Sequence, residues 1–211
     1  TSNQIRVCGL MANPSYIVDG VLTDGEAIHA LGSSTVGSGG VASVTFTSTF
    51  STLTDKLLDW TQYQYLILVC SYQFGYNGAN WGPVKVQPNS DSTSGDYSAT
   101  IAMQMATAGT AAGVDTVDAG YSGYGPSDAS GTSNYFGALV GILYDPGGGK
   151  FSSWQWQNAG AGYATGYCTS GALNYNDMTS GVWSLKIEGS GQNWAEHSHF
   201  DLYGVLPRMV N

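Results

Sequence analysis

His197 and His199 stand two residues apart, with Glu196 before them and Asp201 after. Residues at i and i+2 of a strand share a face, so both imidazoles would project together beside a carboxylate, a donor set suited to a divalent transition metal. Two imidazoles do not complete such a site, and only three subunits meeting on an axis would multiply the ligands enough; no metal and no cofactor is expected. Asp91, Ser92, Ser94 and Asp96 gather oxygen atoms in one loop, without the closing bidentate Glu and the spacing of a calcium loop, so a hydrogen-bonded turn is expected there. Asp115 with Asp118, and Glu196 with Asp201, have the types needed for glycoside hydrolysis. A chain carrying 15 acidic residues makes such pairs by number alone. Gly-x-Ser-x-Gly, His-Glu-x-x-His and Gly-x-x-x-x-Gly-Lys do not occur, which removes the nucleophile elbow, the zinc helix and the phosphate loop. The chain is read as a non-enzyme with no catalytic residue.

Aromatic residues offer a second kind of chemistry. They collect in three stretches: Tyr72, Phe74, Tyr76 and Trp81; Tyr121, Tyr124 and Tyr135; and Trp154, Trp156, Tyr163 and Tyr167. Exposed Trp and Tyr beside Asn and Asp stack on sugar faces or anchor a protein interface, whereas buried ones fill a core. Trp81, Tyr121, Tyr124 and Tyr135 are the residues singled out for a glycan or protein interface.

The elements that must position these groups are strands. Asn77-Gly, Pro146-Gly-Gly-Gly149, Gly160-Ala-Gly162 and Gly189-Ser-Gly191 punctuate short alternating apolar runs too often for helices. Strands are predicted near 42–48, 63–75, 83–87, 99–106, 136–145, 151–157, 182–189 and 198–205, about eight, the number in a two-sheet jelly roll. Residues 52–60 are the fairest helix, capped by Thr52 or Thr54, and 98–106 reads as helix or strand. The last two strands are expected to form a hairpin. In it Val182, Ser184 and Lys186 alternate with Trp183, Leu185 and Ile187, and Phe200, Leu202 and Gly204 oppose His199, Asp201 and Tyr203. The fold predicted is an all-β, antiparallel two-sheet sandwich.

Composition narrows the partners. A chain of 211 residues suffices for one β domain. Charged residues make up 10%, against roughly 25% in an average soluble domain, so hydroxyls and amides carry the surface. A net charge of −9 opposes phosphate backbones and anionic lipid, so neither nucleic acid nor membrane is expected as a partner. No apolar run approaches the roughly 20 residues of a membrane helix. Thr1 begins without a charged-then-apolar leader, so a secretory signal is expected to be either absent or already removed, and secretion is not indicated. Cys8, Cys70 and Cys168 are odd in number and widely spaced, and read as reduced, mostly buried thiols.

Residues 1–40 differ in texture from the rest, with Ile5, Val7, Leu10, Met11, Tyr16 and Ile17 followed by a Gly-rich stretch from 31 to 40. They read as an N-terminal arm ending in a hinge, ahead of a sandwich at 41–211. The arm's apolar residues would either add a strand to the domain's own sheet or pair with a neighbouring subunit.

The strand Gly181-Val-Trp-Ser-Leu-Lys-Ile187 and the ending Leu202-Tyr-Gly-Val205 resemble the C-terminal Gly-x-Trp and Leu-Tyr-Gly-Val/Ile strands of a widespread family of tailed-phage structural proteins. Upstream, Val44-Thr-Phe46, Tyr63-Gln-Tyr-Leu-Ile-Leu68, the polar loop from Gln87 through Asn89 and Asp91 to Tyr97, and Ala138 to Asp145 followed by Lys150 to Trp154 resemble that family's pieces in the same order. The resemblance covers about 41–205 and departs from the family in its few basic residues and in a long Gly/Ser/Tyr loop from 119 to 134. It implies a virion structural protein with a jelly roll, made in the host cytoplasm. A decoration or cement protein on the outside of the head is the expected role, as a homotrimer on the major capsid protein lattice, docked through Ile5, Val7, Leu10, Met11, Tyr16 and Ile17. The alternative is a tail-tip or fibre-head protein that recognises host-surface glycan.

Overall fold

The computed structural model describes residues 17–18, 21–22, 27–48, 60–75, 81–105, 109–115, 120–126, 136–147, 152–161, 166–176, 181–189 and 191–206. Their strands are β1 (Ile17–Val18), β2 (Val21–Leu22), β3 (Ile28–Thr35), β4 (Ser43–Thr47), β5 (Tyr65–Tyr72), β6 (Trp81–Pro88), β7 (Tyr97–Met105), β8 (Gly109–Asp115), β9 (Tyr121–Pro126), β10 (Gly137–Tyr144), β11 (Ser152–Ala161), β12 (Gly166–Tyr175), β13 (Ser184–Gly189) and β14 (His199–Val205). Short 3-10 turns occupy Trp60–Gln62 and Ser94–Asp96. The expected helix at 52–60 lies outside the described residues except for Trp60, and 97–105 is strand.

The strands form a large sheet ordered β3-β14-β5-β10-β11-β12-β7-β8, a small one ordered β4-β13-β6-β9, and the separate pair β1-β2. Every pairing is antiparallel. From β4 the chain alternates between the sheets, placing β4, β6, β9 and β13 in the small one and β5, β7, β8 and β10 in the large one. The orders β4-β13-β6-β9 and β5-β10…β7-β8 are the wind of a jelly roll, two Greek keys laid face to face. Two additions broaden the large sheet. The hairpin β11–β12 is inserted between β10 and β7, and β14 with β3 extend the β5 side.

Several expectations need correction. The last two strands are not a hairpin, because β13 pairs with β4 and β6 in the small sheet while β14 pairs with β3 and β5 in the large one. The predicted alternation at the start of β13 also slips: Val182, Ser184 and Leu185 are buried and Trp183 is 48% exposed. Of the two alternatives for the stretch before residue 41, residues 28–35 take the added strand, as the edge strand β3 of the large sheet, and Val36 continues the contact by donating its N–H to Ser198 O. Part of the expected 119–134 loop is the strand β9. The strands β8 and β12 were likewise unforeseen.

The core follows from the period of two. Leu66, Leu68, Cys70 and Tyr72 of β5, Leu139 and Leu143 of β10, Phe200 and Leu202 of β14, and Leu185 and Ile187 of β13 point into the space between the sheets. At one end Tyr72, Phe74, Trp194 and Phe200 interlock, with Phe74 and Trp194 stacked at 4.5 Å. In the middle, Trp154 and Trp156 of β11 lie over Gly141 of β10 and Gly171 of β12, where an added Cβ would collide with the indole rings. Gly141→Ala is expected to destabilise the protein by about 1–3 kcal/mol through overpacking. Urea denaturation measures it, and an unchanged midpoint would show that Trp154 has room to move.

Candidate interaction surface

The alternation that buries Trp154 and Trp156 turns Gln155 and Gln157 outward, and each neighbouring strand repeats it. On the outer face of the large sheet Val69 of β5 stands opposite Val140 of β10, which stands opposite Gln157 of β11. Ile67, Ile142 and Gln155 form the next row. Farther across, Ser170 and Ala172 of β12 lead to Thr100 and Ala102 of β7. Val140 is 46% and Val69 37% exposed. None of the five strands β5, β10, β11, β12 and β7 contains Asp, Glu, Lys, Arg or His. Small side chains on β12 leave a shallow groove of about 450 Å³ lined by Val140, Ile142, Gln155, Gln157, Ser170 and Ala172. The exposed Cys168 lies on this face, whereas Cys70 is buried, and burial, then the Asp201 carboxylate, pushes its thiol well up. Cys8 lies outside the described residues.

Charge returns at the β14 border. Asp201 lies 3.1 Å from Nε2 of His199, and Thr35 Oγ1 lies 2.7 Å from Nδ1. A carboxylate only accepts, so Nε2 carries the proton and, in the neutral ring, Nδ1 accepts from the Thr35 hydroxyl. The order hydroxyl, imidazole, carboxylate imitates a hydrolytic triad, but it lies on a sheet face and ties β3 to β14. His197 does not share this face: it sits in the preceding turn at φ +70°, with its N–H donated to Val36 O. Among the described residues no cluster of three or more His, Cys, Asp or Glu is placed to hold a metal. Glu196 is separated from the His199 pair, in a cleft of about 500 Å³ lined also by Gly39, Gly40, Gly75, Gln192 and Asn193.

The polar loop after β6 is built by its own motif. Asn89, at φ +55°, accepts the N–H groups of Trp183 (2.8 Å) and Ser184 (3.3 Å) on Oδ1 and donates to Gly181 O. These two consecutive acceptances accompany the slip that leaves Trp183 exposed. Asp91 accepts from Thr93 N–H at 2.8 Å, and Tyr97 donates its hydroxyl to Asp91 O at 2.9 Å. Partial burial raises the Asp91 carboxyl, but hydrogen bonds from the Thr93 backbone and side chain, then Asp96 and Tyr175, outweigh it and hold the group below its ordinary 3.8. Burial, then Asp91, Tyr175 and Asp96, push the Tyr97 hydroxyl far above its usual range, so it stays a neutral donor.

The aromatic candidates divide. Trp81 lies on β6 opposite Pro126 of β9, Tyr124 opposite Pro83, and Tyr121 opposite Lys85, so the pairing brings these three onto neighbouring strands at one edge of the small sheet. Tyr135 lies outside the described residues, as do Ile5, Val7, Leu10, Met11 and Tyr16; Ile17 is in β1, paired with Leu22 of β2. Trp154, Trp156, Tyr72 and Phe74 are core. Sequence reasoning missed the neutral outer face, whose one legible signal was the uncharged run through successive strands. No protein-family model, curated protein or solved structure matches the chain.

A folded carboxyl held below its unfolded value stabilises the fold above that unfolded value, and the contribution is lost as pH falls through the folded value. Asp91→Asn is therefore expected to flatten the acid limb of stability against pH, below about pH 4. Denaturant midpoints across that range measure it, and parallel curves for the two proteins would contradict the hydrogen-bonded role of Asp91.

Proposed function

We propose that this is a non-enzymatic virion structural protein of a tailed phage, a decoration protein that binds the outside of the assembled head and stabilises the capsid lattice. The observation that carries the reading is the broad uncharged outer sheet face on a jelly roll whose chain has a net charge of −9. A chain so sparing of charge that leaves five adjacent strands of one face neutral, with Val69 and Val140 in the open, has the surface of an assembly component. The resemblance of the two C-terminal strands and the polar loop to tailed-phage structural proteins gives that assembly its identity. Fold alone would not, because jelly rolls host many functions. The mechanism is mass action: a protein that binds the assembled shell and not its separated parts stabilises the shell, and repeated lattice contacts multiply the effect.

A second reading, a tail-tip or fibre-head protein gripping glycan, is favoured by the register that gathers Trp81, Tyr121 and Tyr124 on paired strands. A glycan array is expected to be blank; saccharide binding lost in Tyr124→Ala would move the function to the tail. The head reading itself is tested by co-sedimentation with empty heads lacking the protein, beside isolated tails, followed by heating. Pelleting with heads and a raised disruption temperature are expected. Pelleting with tails alone, or with neither, would contradict the reading.

A further inference from the structure

The outer face of β5, β10, β11, β12 and β7 is apolar on its β5–β10 side and carries small residues, Ser170, Ala172, Thr100 and Ala102, on its β12–β7 side. Ile67, Val69, Val140 and Ile142 make an apolar band over β5 and β10, and Val140 and Ile142 form one side of the groove that Ser170 and Ala172 of β12 line on the other. We propose that a second copy of this chain covers the face, the two sheets meeting about a two-fold axis that runs parallel to the strands along β11, the middle of the five. That rotation sets β10 of each copy over β12 of the other, and β5 over β7, so Val140 and Ile142 face Ser170 and Ala172 and one pattern of side chains is satisfied twice, as an isologous interface requires. The proposal deepens the reading of a virion protein that works in several copies and rests on it for that use alone; it specifies a pair, where the sequence suggested a trimer.

Charge selects this occupant. Two copies at −9 each repel wherever their acidic surfaces approach, and these five strands let them meet without placing a charge at the contact. Asp201 and His199 at the β14 border, and Asp115 at the end of β8 beyond β7, fall to the rim, where solvent screens them. The size is sufficient: five strands about 4.8 Å apart and roughly eight residues long present on the order of 650 Å² in projection. A stable complex covers about 800 Å² of accessible surface per partner, close to what such a face offers once its relief is included. Ala102, Ala138, Ala159 and Ala172, exposed on the same face, allow the sheets to approach closely.

The test is the mass of the full chain in solution by sedimentation velocity and light scattering across micromolar concentrations. The wild type is expected to be a dimer whose association strengthens with added salt, because salt screens the net repulsion and leaves a neutral contact intact. Val140→Lys and Ala172→Arg, each on an exposed side chain and each introduced twice by symmetry, are expected to weaken association at least about 100-fold. Both are expected to keep the wild-type thermal melt. Trp183→Ser, just before β13 of the other sheet, is expected to remain dimeric. A wild type that is monomeric throughout, a trimer, or any oligomer that survives both face substitutions overturns the proposal. Because no phage component is present, these outcomes are independent of whether the protein binds heads.

Discussion

Trp154 ties the two sheets together. Its ring is 1% exposed and lies over Gly141, while its indole N–H donates to Ser122 Oγ on β9 of the opposite sheet at 3.0 Å. Ser122 in turn donates to Gly120 O at 3.2 Å, so the indole N–H and the hydroxyl of this buried pair are satisfied between the sheets. The contact exists because β11 runs through the middle of the large sheet, and β11 is there because a hairpin has been inserted into the jelly-roll wind. Remove the hairpin and the large sheet loses both its central indoles and two of the five strands of its neutral face. The interior bond and the exterior surface are thus two sides of one alternating segment, with Trp154 and Trp156 inward and Gln155 and Gln157 outward.

Two means of holding structure are divided between interior and surface. Inside, close approach does the work: indoles lie on Gly141 and Gly171, Tyr63 packs against Gly204, and Phe46 against Gly32. Outside, short polar ties fix the strands without charge. Ser153 donates to Asn174 at 2.8 Å across β11 and β12, and Asn89 holds the entry of β13. The ion pair of Lys186 with Glu188 and the hydrogen bond from His199 to Asp201 lie off the five neutral strands. Such an arrangement keeps a low-charge protein folded while leaving one face without the desolvation cost that buried charge imposes on an interface.

The fold class was legible because β5 and β10 are short, turn-bounded apolar runs rich in Leu, Ile, Val and Tyr, while β14 alternates Phe200, Leu202 and Gly204 with His199, Asp201 and Tyr203. Their neighbours were less readable for physical reasons. In β12 the inward Thr169 and Gly171 and the outward Ser170 and Ala172 differ little in hydrophobicity, so no period stands out. The Gly-Tyr-Ser-Gly-Tyr-Gly run of β9 has a loop's composition, and only pairing with β6 makes it a strand. Gly189 and Gly191 carry a hairpin's turn signal, yet the chain between β13 and β14 is drawn away by bridges from Trp194 to Val41 and Phe74. Local pattern does not encode which sheet the next strand joins. The loop motif at Asn89 and Asp91 was visible, and its work is to cap strands and turns. The neutral face was written in the sequence as missing charge, but it became a surface only when register set five such strands side by side.

Cys168 gives the most direct test of the central claim that this face is covered in the working assembly. Its thiol is exposed on the outer side of β12 in the single chain, so alkylation at Cys168 can be timed by peptide mass spectrometry in the dilute protein and in the assembled one. The account predicts that labelling slows markedly on assembly while the melt and the buried Cys70 are unchanged. Labelling at the same rate in both states would show that the face stays open, and would contradict the account.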